Sequence, residues 1–458
     1  TTASNNTAVG KSALLVNTTG AGNTSVGTNA LDANTTAANV TAVGLNALGS
    51  NTTGASNTAV GAASLGSNTT AANNTAIGYA ALNANTTAAN NVAVGTNALQ
   101  ANTTGTRNTA VGMNAADAIT TGNDNTAMGQ GALGATTTAS NNTAVGVNAL
   151  TANTTGAQNV GVGYRALFSN TTAANNVALG AYALDLNTTG ASNTALGYLS
   201  LSANTTGANN VAIGKDALDS NTTGGTNVAV GVDALQANTT ASDNVGVGHS
   251  ALEANTTGAE NTAVGKNALG ANTTASYNTA VGKGALQATT TGQANTALGV
   301  DVLVANTTGL DNTAVGTSAL SANTTGASNT VVGRATGSSI TTGSNNQFFG
   351  HDAGITGSPG GNVTTGGNNI LLGDENIDYA GIQVDWTVAS DQRDKTDFTA
   401  LDLGLDFVKA LAPVTYKWDK RSKYGDKKAD DYDLNAQSPD GTHKEDWLDI
   451  GFKAQEVQ

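Results

Sequence analysis

Asn57-Thr58-Ala59-Val60-Gly61-Ala62-Ala63-Ser64-Leu65-Gly66-Ser67-Asn68-Thr69-Thr70-Ala71-Ala72-Asn73 is one copy of a 17-residue unit that recurs along most of the chain. The glycine that ends its first five residues returns at Gly10, Gly27, Gly44, Gly61, Gly78, Gly95, Gly146, Gly231 and the multiples between them. From Gly10 to Gly350 this makes 20 steps of 17 with no insertion or deletion. The unit reads Asn-Thr-Ala-Val-Gly-x-x-Ala-Leu-x-Ala-Asn-Thr-Thr-Gly-Ala-x, counted below as positions 1 to 17. A period held this strictly predicts a solenoid in which each repeat is one coil stacked on the next.

Within a unit, Asn-Thr-Ala-Val alternates on a two-residue period, as a short strand does. Position 2 is Thr or Val (Thr58, Val92, Val177, Val211) and shares a face with the apolar position 4 (Val9, Val26, Ile77, Met128, Leu179). Position 3, almost always Ala or Gly, points the other way, where little room is available. The glycine suits a turn with positive φ or a close backbone approach. The Ala-Leu segment reads as a second short strand, and Asn-Thr-Thr-Gly as a turn. A helix over x-x-Ala-Leu-x-Ala is the competing reading, but two turns are too short to be stable alone. At about 4.8 Å per coil, the repeats would span on the order of 100 Å.

The Asn of Asn-Thr-Thr is nearly constant, as in Asn51, Asn68, Asn85, Asn102 and Asn153, and is replaced by Thr136, Thr289, Ile119 and Ile340. Two isoleucines in that column place the side chain inward or in an interface. A row of amides bonded to the coils above and below would satisfy such a buried position. The same triplets match the N-glycosylation pattern, although repetition of a structural turn accounts for that match without a glycan.

Net charge is −14, with 57 glycines, three prolines and no cysteine, so disulfides and thiolate metal sites are excluded. Residues 374–458 hold 11 of the 18 Lys/Arg and 19 of the 32 Asp/Glu, which leaves 7 and 13 for residues 1–373. That shift marks a domain boundary. Scarce, unclustered basic residues argue against nucleic acid as a partner. No run of 18 apolar residues occurs, so no membrane insertion is expected. Residue 1 is Thr, and the sequence reads as a piece of a longer chain.

A coil of 17 residues encloses a thin core, and three chains side by side would bury the Ala/Gly face. The unit resembles the head repeats of trimeric autotransporter adhesins, and that resemblance implies a parallel β-roll in a homotrimer. The expected fold is therefore an all-β repeat solenoid, a parallel β-roll or β-helix, over residues 1–350, expected as a homotrimer.

The pattern loosens after Gly333. Phe348 and Phe349 read as a cap, and residues 351–389 as an irregular last coil and connecting stem. Beyond them come Ser390-Asp391-Gln392-Arg393-Asp394-Lys395, apolar residues at helical spacing (Leu401, Leu405, Val408, Leu411), Pro413, Val414-Thr415-Tyr416-Lys417-Trp418, and Gly451-Phe452-Lys453-Ala454-Gln455-Glu456-Val457. These signatures, in this order, resemble the C-terminal intramolecular chaperone of the endosialidase type, which closes phage tail fibres and tailspikes. The resemblance implies a small α+β chaperone domain over residues 390–458, incomplete at its C-terminus, that trimerises, helps fold the fibre and releases itself by cleavage. Carried onto this chain, it implies scission between Ala389 and Ser390. Ser390 would be the nucleophile and Lys395 the base, with Asp391 and Arg393 in support. A lysine serves as base only if burial lowers its pKa.

Other chemistry is not expected. His249, His351 and His443 lack ligand spacing, Gly161-Val162-Gly163 lacks a dinucleotide-binding context, and no cofactor or metal set emerges. Tyr79, Tyr164, Phe168, Tyr182 and Tyr198 either mark a sugar-stacking patch or are isolated surface aromatics. The whole reads as a virion fibre whose partners are two copies of itself, other virion proteins, and a host-surface glycan or protein. The alternatives are a trimeric adhesin on a bacterial surface and an ice-binding solenoid.

Overall fold

The computed structural model describes residues 3–358, 360–378, 414–417, 442 and 449–451. Every unit contributes one strand of three residues, from β1 (Thr7–Val9) to β20 (Thr330–Val332), followed by β21 (Gln347–Phe349) and β22 (Ile370–Leu372). Successive strands pair in parallel with residue i opposite i+17, as in Thr58↔Thr75, Ala59↔Ala76 and Val60↔Ile77. The pairing of β21 with β22 keeps this register across 23 residues, Phe348 opposite Leu371. The result is a parallel β-solenoid. No helix occurs among the described residues.

The strand faces are reversed relative to the core expected for a trimer. Position 3 alanines such as Ala42, Ala59 and Ala76 are fully buried inside their own chain, while positions 2 and 4 face outward. The inside of a 17-residue coil already holds the position 9 leucines, so the small side of the strand goes in and the branched side goes out, with Val331 and Phe348 taking the inward position only in the last coils. The Ala face is thus unavailable to a neighbouring copy.

The Ala-Leu segment is not a second strand, nor a helix. Positions 7 and 9 adopt left-handed backbone, as at Ala63 (φ 58°) and Leu65 (φ 49°), and two such residues around one ordinary residue break the pleat. Ladder bonding continues regardless: Leu65 N–H donates to Ala81 O at 2.9 Å, and Ser67 N–H to Asn83 O at 3.0 Å. Left-handed leucine is strained, but complete burial of Leu65, Leu82 and Leu99 offsets that cost.

The repeat glycine has two reasons to be glycine. Gly61 sits at φ 134° and Gly146 at 138°, where side-chain-bearing residues rarely go, and a Cβ on either would run into the carbonyl of the equivalent glycine one coil on, Gly78 or Gly163. Gly78, Gly95 and Gly231 repeat the arrangement.

Chain contacts divide the molecule into Thr1–Tyr379 and Ala380–Gln458. In the second unit β23 (Val414–Tyr416) and β24 (Asp449–Gly451) pair antiparallel, Thr415 opposite Ile450. The stem beyond residue 378 and the expected helix over 401–411 lie outside the described residues.

Candidate functional site

Two asparagine rows run inside the solenoid. At position 12, Asn51, Asn68, Asn85, Asn102 and Asn153 are fully buried. Asn68 Nδ2 donates to Asn51 Oδ1 at 2.8 Å and to Ala71 O at 3.0 Å, and Asn85 and Asn102 repeat the link at 2.9 and 3.0 Å. Ile119 cannot donate, so Asn102 Oδ1 has no partner; Asn323 Oδ1, before Ile340, and Asn272 Oδ1, before Thr289, are in the same state. The row resumes where Asn153 Nδ2 donates to Thr136 Oγ1 at 3.3 Å.

The position 1 row was not singled out from sequence. Asn57, Asn74 and Asn91 are equally buried. Asn57 Oδ1 accepts Asn74 N–H at 2.9 Å, while Asn57 Nδ2 donates to Ala71 O at 2.7 Å. The signal was available: an asparagine opening a strand in nearly every coil, where β propensity disfavours it, has to be bonded to something.

The outward strand face runs the length of the solenoid. Positions 2 and 4 carry no charged residue from Thr7 to Leu372. Position 4 side chains are either part buried, as at Val60, Val94 and Val230, or exposed, as at Ile77, Met128 and Leu298 (48 %). At the end of the regular coils the two phenylalanines split: Phe348 is buried on the core while Phe349 joins this outer face.

Most charged groups sit instead at the corner formed by positions 6, 7 and 10, with a second set, including the Arg107–Asp124 pair, at position 17. Arg165 makes two bonds to Asp185, both 3.0 Å, and this pairing pushes the guanidinium further above its usual range. Its guanidinium lies 4.0 Å from the Phe168 ring centroid and 5.9 Å from that of Tyr182. Tyr182 in turn meets Tyr164 and Tyr198 edge to face, at 5.3 and 6.2 Å. Burial raises the pKa of Asp219, which accepts from Ser202 Oγ, and of Asp117.

His351, Asp352 and Asp374 bring three potential ligand atoms together. His351 Nδ1 lies 3.2 Å from Asp352 Oδ2 and 3.3 Å from Asp374 Oδ2. Arg334 Nη1 stands 2.6 Å from His351 Nε2. A metal on Nδ1 would leave Nε2–H facing a guanidinium that only donates, so the group is better described as an Arg-His-Asp hydrogen-bonded column.

Ala389, Ser390, Asp391, Arg393 and Lys395 lie outside the described residues. Residues 390–458 match the family model described as the chaperone of endosialidase, peptidase S74, an intramolecular chaperone that cleaves itself. This match and the parallel solenoid of 17-residue coils fit a tail fibre with a C-terminal chaperone. No curated protein and no solved structure matches the chain.

Proposed function

We propose that the chain is a homotrimeric fibre protein whose solenoid gives reach and whose C-terminal segment assembles the trimer. The observation that carries this is the charge-free strand face. A sheet face exposed to water normally alternates polar and charged residues outward. Here Val, Ile, Leu and Met reach solvent, in part or widely, in every coil of the solenoid, as a face does that is covered by further copies. The chaperone of endosialidase match supports the same reading, because that module belongs to fibres and spikes that must fold as assemblies.

On this reading the fibre belongs to a virion and touches a host surface, with a bacterial trimeric adhesin as the second reading. Release follows the family's chemistry: Lys395 takes the proton of Ser390 Oγ, the oxygen attacks the Ala389 carbonyl carbon, the Ala389–Ser390 C–N bond breaks as the Ser390 nitrogen takes that proton, and water hydrolyses the ester to the Ala389 carboxylate and the freed Ser390 hydroxyl. Mass spectrometry and light scattering of the expressed chain test both parts. The expected result is a trimer mass with a fragment beginning at Ser390, absent in Ser390→Ala. A monomer that stays intact in the unaltered chain refutes the reading.

A further inference from the structure

The corner of coils 10 to 12 departs from the rest of the solenoid in a way the fold does not require. Position 7 is left-handed in every coil, and elsewhere its occupant is Asn, Asp, Ser, Ala or Gly, residues small or polar enough to tolerate that backbone. In three successive coils it is Arg165 (φ 57°), Tyr182 (φ 59°) and Leu199 (φ 56°). Leucine at position 9 pays for the same conformation by full burial. Arg165, Tyr182 and Leu199 are only part buried, so burial offsets less of their strain.

The same three coils hold four of the eight aromatic side chains of residues 1–350. Tyr164, Tyr182 and Tyr198 form an edge-to-face row along the coil stack, with Tyr164 and Tyr198 about half exposed. Beside them Arg165 is fixed by Phe168 and by two bonds to Asp185. The pair is neutral overall, which suits neither a phosphate backbone nor a strongly acidic ligand. Ring centroids 5.3 and 6.2 Å apart are close to the length of one pyranose. Phenol hydroxyls, a guanidinium and a carboxylate supply donors and acceptors for sugar hydroxyls at the ring edge.

We propose that Tyr164, Tyr182, Tyr198 and the Arg165–Asp185 pair form a saccharide-binding platform on the flank of the solenoid, taking a neutral or weakly charged linear glycan. It rests on the fibre reading only for the source of that glycan, a host surface. Labelled full-length chain on a printed array of neutral and acidic oligosaccharides is the test, with Tyr182→Asn as the variant. Asparagine is the usual residue at position 7, so the variant keeps or raises the melting temperature while binding to the retained glycans falls at least tenfold. Tyr79→Ala, at a solitary tyrosine on the same corner, leaves binding unchanged. No glycan retained by the unaltered chain, or equal retention by Tyr182→Asn, overturns the platform. A drop in molar mass in Tyr182→Asn also overturns it, since the row would then be a contact between copies. The unaltered chain's own mass reports separately on the fibre reading.

Discussion

Gly337 and Ile340 share one volume. A Cβ built on Gly337 would lie 3.2 Å from Ile340 Cδ1, in the space that a position 9 leucine fills in other coils. The coil around Ala116 does the same: Leu is reduced to Ala at position 9, and Asn at position 12 becomes Ile119, with both side chains buried. The two positions therefore trade volume across one turn, and the lost rung leaves Asn102 Oδ1 unpaired.

Volume exchange predicts strong coupling between Ala116 and Ile119. Ala116→Leu alone overpacks the coil, costing about 1–3 kcal/mol. Ile119→Asn alone leaves a cavity costing about 2–4 kcal/mol, less whatever the new rung returns to Asn102 Oδ1. The double variant should approach the unaltered chain in urea unfolding. Additive losses would show that the two sites do not share space.

A charge placed in the position 12 row should be costly. Asn85 Nδ2 donates to Asn68 Oδ1 and Ala88 O, and Asn85→Asp ends both donations. Loss of about 3 kcal/mol or more is expected at neutral pH, against about 0.5 kcal/mol or less for Ser56→Asp on the surface. Burial raises the new carboxyl's pKa in the folded state. Its penalty is therefore full above that pKa and shrinks as pH falls through it. Equal melting temperatures for the two variants would dismiss a role for the row.

Gly61→Ala combines a forbidden φ with a clash against the Gly78 carbonyl. Gly49 has ordinary room, its nearest neighbour being Asp32 Oδ1 at 3.4 Å. Thermal unfolding should show a loss of about 3 kcal/mol or more for Gly61→Ala and little change for Gly49→Ala.

The outward face makes a prediction about assembly. Val111→Asp with Val264→Asp puts charges on half-exposed positions that cost a lone coil little. If copies cover this face, light scattering should show a shift from trimer toward monomer. An unchanged mass would place the contact elsewhere.

Asp117 carries a pH signature. Burial holds its carboxyl above the usual range, against the opposing pull of the Asp117 and Ala118 N–H groups. A raised folded pKa costs stability once the group ionises. Asp117→Asn should therefore melt higher at neutral pH. The advantage should fade as pH drops through the raised pKa and vanish below the unfolded value of about 3.9.

The period, the glycine column and the polar turn of each unit were legible because each repeats a local backbone demand 20 times over. The C-terminal signatures were legible for another reason, since Ser390, Tyr416 and Gly451-Phe452 keep a fixed order in sequence. Residue identities alone determined that this chain is a stack of equal coils ending in a chaperone-like segment. Tertiary structure decided which side of each strand is the inside. Alternation offers two faces, and packing against the position 9 leucines inside the closed coil puts Ala59 rather than Val60 in the core. It also decided that Tyr164, Tyr182 and Tyr198 meet. Their spacings of 18 and 16 residues straddle the period, so their contact depends on left-handed turns that no two-residue or helical pattern encodes.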